Sequence, residues 1–146
     1  MKPCAASLIL PAEIDHLHEA QRFVRHQAER MGVPEKFCST LELVIEELFV
    51  NIVDHGRPAV NTDVEVQCVL EECSDNSMAI FALSIRDWGA PFNPLERDAP
   101  ALGVDIEERS IGGLGIYLIS KMAGRCTYVR DGESNLFQTF LEIPKS

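Results

Sequence analysis

The spacing of the apolar residues changes near Asp63, and this change limits the folds that the chain can adopt. Before it, apolar side chains recur three, four or seven positions apart over 14–31 and 37–52, which predicts two helices with one buried face each. After it, the period is two over Val64–Leu70 and Ala79–Ile85, which predicts an antiparallel hairpin. The chain is therefore expected to pack paired helices on a sheet.

The other elements complete a single predicted domain over residues 1–146. An extended stretch at 7–10 precedes the helices, and a third helix is expected from about 113 to 123. Two more strands, at 126–130 and 136–143, flank a tight turn. The order β-α-α-β-β-loop-α-β-β predicts an α+β fold, a two-layer sandwich of helices on a mixed, mostly antiparallel sheet.

Charge and composition exclude several classes of partner. The chain carries 13 Lys and Arg against 23 Asp and Glu, a net charge of -10, which disfavours direct binding to nucleic acid or to an anionic membrane. No apolar run approaches the roughly 18 residues that a membrane helix needs, so a cytoplasmic protein is expected. The five cysteines are scattered without a CxxC pair, which favours reduced thiols over a metal site.

The second helix carries a carboxylate and an amide four residues apart, Glu47 and Asn51. This spacing places both on one helix face, near the edge of the apolar stripe. By itself the pair is compatible with a hydrogen-bonded, half-buried amide as well as with a ligand site.

A second motif, RDWGAPFNP, begins where the predicted strand ends. Asp87 in this position is either a turn residue whose carboxylate binds its own backbone or an acceptor for an exocyclic amine of a nucleotide base. The segment that follows, up to Ile111, is rich in proline and glycine and is too long for an ordinary connection. Segments of this kind are commonly functional lids or disordered.

A third motif, IGGLGIYLI, places three glycines at the start of an apolar helix. Glycines allow close approach of a ligand, and a helix N-terminus offers free N–H groups to phosphate. The same glycines are equally compatible with a hinge or with tight packing on the sheet. No Gly-Lys-Ser/Thr follows, so a Walker-type loop is excluded, and the pattern is not a dinucleotide fingerprint.

Together and in this order, the three motifs resemble the N, G1 and G2 boxes of the Bergerat-type (GHKL) ATP-binding fold of histidine kinases, gyrase B and MutL. More narrowly, three segments are similar to the anti-sigma-factor serine kinases of the RsbW and SpoIIAB type: LVIEELFVNIVDHG, IRDWGAPFNP and ERSIGGLGIYLISKM. The resemblance extends from the strand near Leu8 to Ile143. Pro91-Phe92 stands where histidine kinases usually carry a second glycine, a form typical of the anti-sigma branch.

The resemblance implies roles for the matched residues. Glu47 would be the general base that accepts the proton of a Ser or Thr hydroxyl, Asn51 would ligate Mg²⁺ through its amide oxygen, and Asp87 would bind the adenine amine. A lid at about 95–111 would close over ATP. The remaining nucleotide-binding positions would be Gly89, Arg109, Gly112, Gly113, Leu114 and Gly115. For Arg109, as for Lys121, a solvated surface charge is the simpler alternative to a phosphate contact.

The resemblance also implies the biological role. It predicts an ATP- and Mg²⁺-dependent serine/threonine kinase of a bacterial partner-switching system, which phosphorylates a STAS-domain antagonist and otherwise holds a sigma factor or another effector. Homodimerisation belongs to this expectation. The alternative is a nucleotide-gated binding protein without kinase activity, which would need the same three motifs.

Overall fold

In the computed structural model, the described residues are 4–56, 59, 61–73, 77–96, 114–122 and 124–144. Within these ranges the predicted element order is confirmed, with short 3-10 turns at Ile14–His16 and Pro94–Glu96. The helices and strands are β1 (Cys4–Pro11), α1 (Leu17–Arg30), α2 (Glu35–His55), β2 (Asn61–Glu72), β3 (Met78–Trp88), α3 (Leu114–Lys121), β4 (Arg125–Asp131) and β5 (Ser134–Pro144).

The five described strands form one sheet in the order β1-β2-β3-β5-β4. Each of the four neighbouring pairs is antiparallel, so the expectation of a mixed sheet was wrong in this detail. The reason is the position of β5. It pairs with both β3 and β4, which run in the same direction, and it separates them. The α+β class and the two-layer arrangement are confirmed.

The helices cover one face of the sheet, and the core lies between the two layers. Alternate residues of the central strands point into it, for example Val66 on β2 and Phe81 on β3, both fully buried. Burying a side chain of this size contributes about 1.5–3 kcal/mol. The α2 helix packs against both α1 and α3, which explains why polar residues in its second half, Glu47 and Asn51, are buried as well.

The third strand extends beyond its predicted end at Ile85 and continues to Trp88. Arg86 and Asp87 interrupt the apolar period, yet they remain in the ladder opposite Leu136 and Asn135 of β5. This extension places Asp87 within the sheet, paired with Asn135 of β5. Among the described helices, none combines the length and the apolar character that crossing a membrane requires.

Candidate nucleotide site

A cleft opens between the C-terminal half of α2 and the adjoining ends of β3, β4 and β5. Much of its lining is apolar, including Leu48 and Phe137. Its polar lining includes Asn51, Asp87 and Asn135, together with His55 and Tyr128. An apolar cleft with a few converging polar groups is typical of a small-molecule site.

Asp87, one of the polar residues of the cleft, is only 7% exposed. Its Oδ1 atom accepts hydrogen bonds from the Gly89 backbone nitrogen at 3.0 Å and from Asn135 Nδ2 at 3.1 Å. The bond to Gly89 is the turn-forming bond that the sequence allowed as one alternative. Because both bonds use Oδ1, Oδ2 is the oxygen with which a ligand amine can pair.

Gly89 follows directly and packs against the backbone at the end of α2. A Cβ atom at position 89 would lie 2.5 Å from the Gly56 carbonyl oxygen and 2.6 Å from the Gly56 Cα atom. Both neighbours are backbone atoms, so they cannot turn aside as a side chain would. The absence of a side chain at Gly89 therefore lets the loop after β3 close down on α2 and shape one wall of the cleft.

Asn135, at the start of β5, links several parts of the site. Its Oδ1 atom accepts from Tyr128 OH at 2.5 Å, from Arg130 Nη1 at 3.2 Å and from the Phe92 backbone nitrogen at 3.3 Å. Besides its bond to Asp87, its Nδ2 atom donates to the Ala90 carbonyl oxygen at 2.9 Å. Arg130 Nη1 also donates to the Gly89 carbonyl oxygen at 2.7 Å.

The sequence reasoning missed Asn135, although a signal was present. Phe137, Leu141 and Ile143 mark the inward face of β5 by their period of two, and Asn135 stands in phase with them. An amide at a core-facing position must find hydrogen-bond partners within the protein. His55 received no role either, and it stacks on Phe92 at the cleft with ring centroids 4.9 Å apart.

Glu47 and Asn51 lie one helical turn apart on α2, and both are buried. Asn51 lines the cleft. Glu47 instead meets the first turn of α3: its Oε2 atom accepts from the Leu114 backbone nitrogen and its Oε1 atom from the Gly115 backbone nitrogen, both at 2.7 Å. The carboxylate thus satisfies two N–H groups that a helix start otherwise leaves unpaired.

Burial and hydrogen bonding act on Glu47 in opposite directions. Burial raises the pKa of its carboxyl above the ordinary value, while the backbone N–H groups of Gly115, Leu114 and Ile116 lower the pKa and offset part of this effect. The net direction is upward. A raised carboxyl pKa suits a group that has to take up a proton near neutral pH.

Gly115 also has a packing role at this contact. A Cβ atom there would lie 2.7 Å from Glu47 Oε1 and 2.9 Å from the Val44 backbone nitrogen. The sequence left a hinge, tight packing and phosphate binding open for the three glycines. For Gly115 the structure shows tight packing, and the packing partner is α2. The phosphate role remains a prediction.

Several predicted positions lie outside the described residues: Arg109, Gly112 and Gly113, with most of the expected lid at 95–111. Lys121 is described, but it stands at the opposite end of α3 from Leu114, about 10 Å along the helix axis. Its ammonium lies over the Tyr117 ring, 5.4 Å from the centroid. The structure thus does not bring Lys121 to the start of α3.

In the described part of the chain, no three His, Cys, Asp or Glu side chains converge as a metal site. A Mg²⁺ ion that binds together with a nucleotide keeps several waters and takes one or two protein oxygens beside phosphate oxygens. Asn51, which lines the cleft, carries an amide oxygen of the type that such an ion takes.

Comparison with known families finds one whose model matches most of the chain. The sequence model of a family described as "Histidine kinase-like ATPase domain" matches residues 10–138. No curated protein sequence matches the chain.

Among solved structures, a chain with the RsbU and RsbW domains of Rv1364c from Mycobacterium tuberculosis is 14% identical, with a TM-score of 0.61. The match covers 97% of this chain and 33% of that one, so this chain spans about a third of its length. The histidine kinase domain of the blue-light-activated kinase EL346 from Erythrobacter litoralis is 16% identical, with coverages of 92% and 61% and a TM-score of 0.45. The first of these structures shares the fold, as the motifs predicted.

Proposed function

Because the chain belongs to the family of histidine kinase-like ATPase domains, we propose that it is an ATP-dependent serine/threonine protein kinase and anti-sigma factor acting in the bacterial cytoplasm. Its substrate is a STAS-domain antagonist, and its other partner is a sigma factor or a comparable effector. The observation that carries the ATP part of the proposal is the buried Asp87 carboxylate in an apolar cleft. The motifs that resemble the anti-sigma serine kinases carry the rest.

The cleft recognises adenine through one polar contact and its apolar walls. A carboxylate accepts hydrogen bonds but cannot donate them, so Asp87 selects a base that presents an amine. Leu48 and Phe137 provide apolar surface, and the His55 and Phe92 rings stand at the cleft. Gly89 keeps the loop after β3 close to α2.

Phosphate binding is assigned to the residues around the start of α3, namely Arg109, Gly112, Gly113, Leu114 and Gly115. A helix start attracts anions through its N–H groups and its dipole. Asn51 holds the Mg²⁺ ion, which neutralises phosphate charge in a protein whose net charge is -10. The lid at about 95–111 closes over the nucleotide.

Glu47 serves as the general base for the Ser or Thr hydroxyl of the antagonist. To do so it has to leave the Leu114 and Gly115 amides, because both of its oxygens are engaged there. These are the amides assigned to phosphate. In this proposal, phosphate takes over the two N–H groups as the carboxylate leaves them, and the freed carboxylate accepts the hydroxyl proton during transfer.

One observation favours a second candidate, a nucleotide-gated sequestering protein without kinase activity. In the structure Glu47 acts as a cap for α3, so its burial has a structural explanation that needs no chemistry. In such a protein the nucleotide would alter α3 and the lid, and with them the affinity for an effector, without transferring phosphate.

The decisive test incubates the chain with Mg-ATP and a STAS-domain protein of the same organism and follows phosphate on serine or threonine by mass spectrometry. Transfer is expected for the wild type and for Glu46→Ala, which alters an exposed neighbour, and is expected to be lost in Glu47→Ala. An unmodified STAS protein, with ATP binding intact, would reject the kinase in favour of the sequestering protein. Light scattering after size exclusion tests the expected homodimer.

A further inference from the structure

The amide of Asn135 has a defined orientation, because the two ends of the side chain meet different partners. Three donors converge on Oδ1, from Tyr128, Arg130 and the Phe92 backbone. Arg130 cannot act as an acceptor, and a backbone N–H can only donate. The oxygen must therefore occupy this position, and the Nδ2 group must face the other way.

The Nδ2 group faces two acceptors. Its two hydrogens are used by Asp87 Oδ1 at 3.1 Å and by the Ala90 carbonyl oxygen at 2.9 Å. Asn135 is only 6% exposed, so water does not readily substitute for these partners. Together with the Gly89 N–H, the amide fixes the plane and the rotamer of the Asp87 carboxylate.

Because of this arrangement, we infer that Asn135 is a positioning residue that sets the base specificity of the cleft. It holds Asp87 as a hydrogen-bond acceptor, which pairs with an exocyclic amine of the base and disfavours a carbonyl oxygen at the same place. The inference deepens the proposed function and rests on the ligand being an adenine nucleotide. Asn135 acts through Asp87 and needs no contact with the base itself.

Charge balance around the pair supports this role. The groups that face Asn135 are Asp87 on β3 and Tyr128 and Arg130 on β4, while His55 of α2 lines the same cleft. One cation, Arg130, stands beside one carboxylate, Asp87, with the neutral amide between them. A second carboxylate at position 135 would place two negative charges against one guanidinium, about 3 Å apart.

Asn135→Asp is the sharpest test because it keeps the Oδ1 acceptor and replaces only the donor. The introduced carboxylate faces Asp87, so the pair takes up one shared proton more readily than either carboxylate alone, and a protonated carboxyl can donate to a carbonyl. Affinity for ATP is expected to fall, and the preference for ATP over ITP, whose base carries a carbonyl in place of the amine, to fall about tenfold. Tyr128→Phe, which removes one donor to Oδ1 and leaves both hydrogen bonds of Nδ2 in place, should reduce the preference less.

Gln138→Glu is the matched control, since it makes the same chemical change three residues along β5, where Gln138 donates to Ser84 on the opposite face of the sheet. It should leave the ratio of ATP to ITP affinity unchanged. If Asn135→Asp and Tyr128→Phe weaken ATP and ITP equally, so that the ratio stays at its wild-type value, Asn135 is only structural and the inference is overturned.

A ligand-free measurement separates this inference from the proposed function. The loss of unfolding free energy in Asn135→Asp should shrink on going from neutral to mildly acidic buffer, because one shared proton relieves the repulsion between the carboxylates. Gln138→Glu should show no comparable recovery. A wild type that binds no ATP would refute the proposed function, whereas the absence of acid recovery would refute the contact between Asn135 and Asp87.

Discussion

The Oε1 atom of Glu47 on α2 lies 2.7 Å from the backbone nitrogen of Gly115 on α3, and Oε2 stands at the same distance from the Leu114 nitrogen. A buried carboxylate thus occupies the two N–H groups that a phosphate would use at this helix start. The contact joins two residues that the motifs assign to different tasks. Its consequences can be measured separately for binding, transfer and stability.

Glu47→Ala is expected to abolish phosphate transfer while ATP binds at least as tightly as to the wild type. The Leu114 and Gly115 amides lose their internal partner, so phosphate no longer has to displace a carboxylate from them. Calorimetric titration with Mg-ATP, in parallel with the transfer assay, measures both effects. Glu46→Ala is the control. An affinity that falls in Glu47→Ala would mean that phosphate does not use these amides.

Stability should depend on pH through Glu47. Burial raises the pKa of this carboxyl, so its contribution to folding is fully present below the ordinary carboxyl pKa and is lost as the pH rises through the raised value. The wild type should therefore gain stability relative to Glu47→Gln on acidification over this window. Chemical denaturation at a series of pH values measures the difference, and a constant or opposite trend would contradict the raised pKa.

Asp87→Asn should weaken ATP binding roughly ten- to hundredfold, the loss expected for a hydrogen bond to a charged group. The Gly89 and Asn135 donors hold the oxygen of the new amide on their side, which turns its NH₂ group toward the base amine. Asp54→Asn, an exposed change near the end of α2, should have no effect. If the two variants bind ATP with equal affinity, Asp87 does not contact the nucleotide.

Gly89→Ala should lower both stability and ATP affinity. The added methyl group would lie within 3 Å of three backbone atoms of Gly56, and relieving such an overlap costs about 1–3 kcal/mol. Gly32→Ala is a useful control, because its φ of +88° also disfavours a side chain but no atom lies within 4 Å of the new Cβ. It should destabilise the protein without changing ATP affinity. Thermal unfolding with and without nucleotide distinguishes the two.

Two thiols should resist alkylation in the folded protein. Cys38 and Cys68 are fully buried, and burial raises the pKa of both, that of Cys68 to about 12. Little thiolate is then present to react. Iodoacetamide followed by peptide mass spectrometry should leave both unmodified under native conditions and alkylate all five cysteines in denaturant. Rapid native labelling of Cys68 would show that β2 opens locally.

The order of elements followed from the sequence because apolar period is a local property, and helices and strands bury their faces by different periods. The C-terminal end of β3 could not be predicted in this way, because Arg86 and Asp87 interrupt the apolar pattern while their backbones still pair with β5. The partners of Glu47 were also beyond reach, because they depend on how α3 crosses α2. The role of Asn135 could have been predicted, because its position in the period of β5 marks it as a buried amide that needs hydrogen-bond partners.

The bond from Arg130 to the Gly89 carbonyl ties the β4–β5 hairpin to the loop after β3. The turn of this hairpin, where Gly132 adopts a φ of +60°, is exposed. Exposed turns of this kind are commonly chosen for inserting a peptide tag. Arg130 and Asn135 flank it on either side, however, and both hold the base-binding loop. An insertion there would spread its two anchors apart, so a fluorescent or affinity label at this turn would report on, and disturb, the nucleotide site.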